Sequence, residues 1–227
     1  MKKVFESYRE LFHHRYEVIS SLDMGEDSIR YDFFLALQNE MKLNPWDIQL
    51  EFPMGANTYI PNPAPSTGLL RKEKPIMDLR VETPELRICV EFGFFRRNSN
   101  DEGSINQTDL TFKMLNDFIR LGIYAQLNQS KGYFVCVADS FMLEHQLRAG
   151  VLPPFPGERY NFHYEGMVEI MGDLASATKG IKERFFHRFR ELNLEIDAVL
   201  VYNEEISTVL NPWETRILIW ELNVTTL

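Results

Sequence analysis

Through "SIRYDFFLALQNEM" (28–41), Ile29, Phe33, Leu37 and Met41 recur at steps of four with Phe34 beside them, a period that predicts an amphipathic helix. "NPWD" then breaks the pattern, because a residue preceding proline is pushed out of the helical region. The short run "IQLEFPM" reads as a strand. The proline-rich "GANTYIPNPAPSTGLLRKEK" reads as an extended loop, and loops of that length inside a compact unit usually carry function or move. "PIMDLRVE" and "LRICVEFGFF" predict two strands joined by the turn-forming "TPE". After the polar "RRNSNDEGSINQ", a helix is predicted over 108–121, with Leu110, Met114, Leu115, Phe118 and Leu121 on its apolar side. "GYFVCVADSF" is a nearly continuous apolar run of the kind found in strands covered on both faces.

Beyond that run the pattern is sparser. "VLPPFPGERYNFHY" reads as a proline-rich linker or arm. "ATKGIKERFFHRFRELN" reads as an amphipathic helix with Ile181, Phe185, Phe189 and Leu192 facing inward, and "IDAVLVY" and "RILIWELNV" as closing strands. The chain shows no internal repeat. The central order is helix, strand, strand, strand, helix, strand, which predicts an α/β fold with three strands in a meander and a fourth reached by a helical crossover.

The composition, 44% apolar and 25% charged over 227 residues, is that of a globular chain able to bury one substantial core. No apolar run approaches the roughly 18 residues that cross a bilayer. The opening "MKKVFESYRELFHHRYEV" carries charges where a signal peptide would need its apolar stretch, so the cytoplasm is the expected compartment. Cys89 and Cys136 each sit in an apolar strand-like run without a Cys-x-x-Cys pairing, which fits buried reduced thiols. The net charge of −9 weighs against a polyanionic partner unless basic residues are segregated onto one face.

Candidate chemistry lies on the two central strands. Residues two apart on a strand share a face, so the even positions Leu86, Ile88, Val90, Phe92 and Phe94 face a core, while Arg87, Cys89, Glu91, Gly93 and Phe95 face the other way. Asp78, interrupting "PIMDL", is placed to meet Glu91 across the pair. Two converging carboxylates repel each other unless a proton or cation intervenes. A hard divalent ion with oxygen ligands and several waters suits two carboxylates and a backbone carbonyl. The bland alternative is that each acid is solvated at a strand end or paired with an arginine such as Arg80 or Arg87.

The element order, Asp78 three residues after Pro75, and "VEFG" on the next strand together resemble the restriction-endonuclease-like, or PD-(D/E)xK, nuclease superfamily. The helix "TDLTFKMLNDFIRLGIYAQL" followed by "GYFVCVADS" is similar to the crossover helix and fourth strand of uncharacterised bacterial members. The resemblance covers about 29–140 and rests on short motifs. It implies a central mixed sheet flanked by helices, with a nuclease-like core at 28–140 of a single domain and a C-terminal extension at 141–227. It also implies Mg2+ or Mn2+ on Asp78 and Glu91, with Glu40 on the first core helix as a third contact, and hydrolysis of DNA phosphodiester bonds. Gly93 departs from the family, which has a lysine there to orient the attacking water and stabilise charge on the scissile phosphate. Three accounts compete. Another element supplies the cation, with Lys113 first and Arg96 and Lys74 behind it; the site has degenerated and the fold serves binding or scaffolding; or position 93 has itself been substituted. On this reading Asp78, Glu91 and Lys113 are the catalytic set, and a non-catalytic nucleic-acid-binding or protein-interaction module is the competing function.

Arg96, Arg97 and Lys74 flank the acids and are the expected nucleic-acid contacts. Lys179, Lys182, Arg184, His187, Arg188 and Arg190 form either a phosphate-contacting surface or the solvated face of a helix, with Glu183 and Glu191 diluting the charge. No histidine spacing suits a metal, and no nucleophile elbow, phosphate-binding loop or dinucleotide fingerprint occurs. DNA is the expected partner, no membrane is involved, and a homodimer is compatible with the pattern.

Overall fold

Three of the predicted strands meander as expected, and a computed structural model shows how the rest of the chain is laid beside them. It describes residues 1–59, 75–96, 107–145, 152–171 and 181–227. In chain order the elements are helices α1 (Lys2–Val18) and α2 (Glu26–Met41), strands β1 (Ile48–Pro53), β2 (Ile76–Glu82) and β3 (Arg87–Phe95), helix α3 (Gln107–Asn128) and strand β4 (Lys131–Asp139). Strand β5 (Arg159–Phe162), helices α4 (Tyr164–Met171) and α5 (Ile181–Glu191), and strands β6 (Leu194–Glu205) and β7 (Thr215–Thr226) follow.

One seven-stranded mixed sheet in the order β1-β2-β3-β4-β7-β6-β5 takes up every strand of the described residues. β1, β2 and β3 pair antiparallel in sequence order. β3 and β4 run parallel, a pairing that needs a crossover, and α3 supplies it. β7 then pairs antiparallel with β4 and continues the sheet into β6 and β5. The strands after residue 141 therefore extend the same sheet as those before it. The fold is α/β, with helices on both faces.

The even positions of β3 behave as the alternation requires: Ile88, Val90 and Phe92 are buried with α1 and α2 against one face. The odd positions do not look outward as the sequence suggested. Cys89 and Phe95 join a second core beneath α3 and α5, and Glu91 is only 1% exposed. α3 runs to Asn128, beyond the expected end, because Ile123, Tyr124 and Ala125 carry its apolar side onward.

The proline-rich segment is more than a linker. Phe155, Tyr160 and Phe162 are buried, with the Phe155 and Tyr160 rings packed at a tilt against Trp220, whose indole N–H donates to the Gly157 carbonyl at 2.9 Å. Burial of rings of this size is a large apolar contribution, on the order of 1.5–3 kcal/mol for a fully buried large apolar side chain. The basic segment forms α5 with Phe185 and Phe189 inward as expected, while Lys179 and the side chains of Ile181, Lys182 and Arg184 lie outside those described. Among the described residues no helix is long and apolar enough to cross a membrane.

Candidate functional site

The ladder between β2 and β3 runs from Glu82↔Arg87 to Leu79↔Val90 and ends there. At the next position Asp78 substitutes a carboxylate for the missing backbone acceptor: its Oδ2 accepts the N–H of Phe92 at 3.0 Å. Its Oδ1 accepts from Nη2 of Arg30 on α2 at 2.9 Å. Where the ladder ends, Asp78 and Glu91 come within hydrogen-bonding range of each other. The expected convergence of the two acids is therefore present, but in a buried setting.

α3 covers the pair. Lys113, Asp117 and Arg120 follow at spacings of four and three, which places them along one side of the helix. Lys113 Nζ donates to Glu26 Oε2 at 2.6 Å and to the Phe92 carbonyl at 3.0 Å, with Asp117 Oδ2 at 4.0 Å. Arg120 Nη1 donates to Asp117 at 3.2 Å, and its Nη2 donates to the Ile76 carbonyl on β2. The same Nη2 stands 2.9 Å from Glu91 Oε1, but off the direction a hydrogen bond needs, so this buried oxygen has no hydrogen-bond donor among the described residues. Arg30 closes the set at 3.7 Å from Glu26 on its own helix.

These contacts form a ring: Glu26, Lys113, Asp117, Arg120, Glu91, Asp78, Arg30 and back to Glu26. Acid and base alternate around it except where Glu91 meets Asp78. Four acids face three bases, so where Glu91 adjoins Asp78 a shared proton or a cation is needed to balance the charge.

The electrostatics follow from this. Burial pushes the Glu91 carboxyl well above its ordinary range; Arg120 opposes the rise, and Asp78 and Asp117 add to it. Asp117 is pushed up to about 6, chiefly by burial, against the pull of Arg120 and Lys113. Burial works to lower Lys113, but Asp117 and Glu26 outweigh it and hold the ammonium above its usual value.

The structure brings Asp78, Glu91 and Lys113 together and leaves Glu40 apart from them. Glu40 is exposed near the end of α2, and at 1.5 Å rise per residue it lies about 15 Å along the axis from Arg30. The acid that α2 contributes is Glu26, in its first turn, where the helix dipole favours a carboxylate. Gly93 faces the core under α3: a Cβ there would stand 3.0 Å from ring carbons of both Phe134 and Phe95. Arg96 is half-buried after β3, its guanidinium 5.4 Å from the Phe94 ring. Lys74 and Arg97 lie outside the described residues.

On α5, Arg188 donates to the Asn57 carbonyl and pairs with Glu191, Arg190 lies over Tyr164, and Phe185 packs beside Arg120. Sequence reasoning missed Glu26, Arg30, Asp117 and Arg120. The polar stripe Lys113, Asp117, Arg120 on an otherwise apolar helix was the signal available for two of them.

Among the described residues no three His, Cys, Asp or Glu side chains are grouped to hold a metal on their own. A hard divalent cation does not require three, since such ions retain water and accept carbonyl oxygen. The adjoining carboxyls and the orphaned Glu91 oxygen suit either a shared proton or one such cation at Asp78 and Glu91. An open cleft of about 580 Å³ on the α2 side is lined in part by Arg30, Tyr31, Leu50 and Glu51; of these Arg30 is the residue bonded to Asp78.

No family model, curated protein or solved structure matches the chain.

Proposed function

We propose that the protein is a divalent-cation-dependent phosphodiesterase of the restriction-endonuclease-like class that hydrolyses DNA, with Asp78 and Glu91 as the ligands of Mg2+ or Mn2+. One observation carries this reading: the single like-charge contact in an otherwise alternating ring falls on the two acids that resemble the family motif. When bound, the ion would lower the pKa of a water and neutralise charge on the phosphate.

The chain's own part is fixation and charge. Asp78 is locked by the Phe92 N–H and by Arg30, which orients one carboxylate without consuming Glu91. Lys113 presents its ammonium at the Phe92 carbonyl, held above its usual pKa by Asp117 and Glu26, and so stays protonated for the role that Gly93 cannot fill. The element order, with its meander and crossover, supports the same class.

A second reading is favoured by a specific observation: Arg30 and Arg120 already stand against the two carboxyls, as ions would. On that reading the ring is a self-neutralised remnant and the protein is a binding module for nucleic acid or another protein. Calorimetric titration with Mg2+ and Mn2+, together with plasmid cleavage beside an Asp78→Ala control, separates the two. Cation binding and cleavage, both lost in Asp78→Ala, are expected. No binding and no cleavage would remove the enzyme and leave the module.

A further inference from the structure

Arg120 makes three contacts that no other residue of the ring combines. It reaches from α3 to the Ile76 carbonyl on β2, to Asp117 on its own helix, and to within 2.9 Å of Glu91 on β3. It therefore spans β2 and β3 on the side where their paired register has ended and the Asp78 carboxylate ties one to the other. Its side chain is mostly buried, with Nε unpartnered among the described residues, and the Phe185 ring lies 5.6 Å from its Cζ. The guanidinium is thus anchored by a backbone carbonyl and Asp117, and its approach to Glu91 is the one contact in the set that lacks hydrogen-bond direction.

We infer that Arg120 is a resident counter-cation: a positioning residue that holds the Asp78–Glu91 pair together in the absence of a metal and competes with an incoming divalent cation for Glu91. The geometry gives it both parts. A charge 2.9 Å from Glu91 Oε1 offsets part of the repulsion from Asp78 whenever both buried acids are ionised. Because Nη1 and Nη2 have other partners, the guanidinium gives up Glu91 without being left unpaired. Arg30 cannot do the same, since its bond to Asp78 is well directed and four acids surround it.

The inference rests on the reading above that the acid pair takes a divalent cation, and the test distinguishes the two. Mn2+ affinity is measured from free-ion electron paramagnetic resonance for the wild type, Arg120→Gln and Arg120→Lys, with the fold checked by circular dichroism. Removing one positive charge beside the site is expected to tighten Mn2+ binding by about ten-fold or more in Arg120→Gln, while Arg120→Lys, which keeps the charge, stays within about three-fold of wild type. A residue that only held the strands together would weaken binding when removed, the opposite direction.

In the wild type, the side-chain nitrogen resonances of Arg120 should shift over the same Mg2+ concentrations at which the ion binds. This second measurement decides the matter if Arg120→Gln does not fold. Wild-type binding with no tightening in Arg120→Gln, or with Arg120 resonances that stay still, overturns the role of Arg120 alone. Absence of binding in both wild type and Arg120→Gln overturns this role and the cation-binding reading together.

Discussion

Lys113 places its ammonium 3.0 Å from the carbonyl oxygen of Phe92, the immediate neighbour of Gly93 on β3. A positive charge therefore reaches the strand position beside the glycine, delivered from α3 rather than from the strand itself. Glu26 fixes it at 2.6 Å and Asp117 stands one helical turn away. For the proposed hydrolysis, Lys113→Ala is expected to lower DNA cleavage by about a hundred-fold or more, the loss seen when one preorganised charge-stabilising donor is removed. Mn2+ affinity should not weaken, since Lys113 is not a ligand. Cleavage at the wild-type rate in Lys113→Ala would show that the ammonium has no part in the chemistry.

The absence of a side chain at position 93 has a packing cause. With Phe134 and Phe95 ring carbons 3.0 Å from where a Cβ would stand, even alanine forces the rings to shift. Gly93→Ala is expected to cost about 1–3 kcal/mol in urea unfolding, the usual penalty of overpacking. Gly93→Lys should cost more, because it also aims an ammonium into an aromatic core, and should not raise cleavage. A Gly93→Lys protein as stable as wild type would mean the core has room that its geometry does not show.

How much of this was legible in the sequence follows from where the periodicities were clean. Alternation along "LRICVEFGFF" gave the strand, its apolar face and the partnership of Glu91 with Asp78. It could not show that α3 covers the opposite face, because a strand buried on both sides and one buried on a single side share the same even positions. β5 was missed since only Tyr160 and Phe162 of its residues are buried, inside a proline-rich context. Glu26 and Glu40 illustrate a different limit. Fourteen residues apart, they lie on nearly the same side of α2, and choosing between them needs to know which end of the helix meets β2. Arg30, one turn after Glu26 and bonded to Asp78, settles that only once the strands are in place. The consequence is measurable: Glu40→Gln should change stability and Mn2+ affinity negligibly, within about 0.5 kcal/mol as for exposed sites, whereas Glu26→Gln should weaken cleavage by releasing Lys113.

Asp117 gives the ring a pH signature. Its carboxyl ionises near 3.8 when unfolded and near 6 in the fold, where burial disfavours the charged form. As pH rises through this window the unfolded state releases its proton first, so the stability contributed by the protonated form is full below about 4 and is lost by about 6. A shift of about two units corresponds to about 3 kcal/mol. Asp117→Asn cannot titrate, so its stability should fall between pH 4 and 7 by about 2–3 kcal/mol less than that of wild type, measured by urea unfolding at each pH. The raised Glu91 acts in the same direction and leaves a residual slope in the variant. Parallel stability curves for the two proteins would rule out a raised Asp117.

The thiols report on the same part of the sheet. Burial pushes Cys89 up to about 12 and Cys136 well above its ordinary value, and both are fully inaccessible. At pH 8 a group with a pKa near 12 is thiolate in about one molecule in ten thousand, so a thiol-specific reagent such as dithiobisnitrobenzoate should label either cysteine of the native protein only slowly, through transient openings. Both should react on unfolding. Cys136 is the register partner of Gly93 on the neighbouring strand, so its slow labelling measures how often the sheet opens beside the acid pair. Gly93→Ala, by straining that contact, should speed the labelling by about ten-fold for each 1.4 kcal/mol of stability it loses. Prompt reaction of either thiol in the native wild type would contradict the burial of that strand.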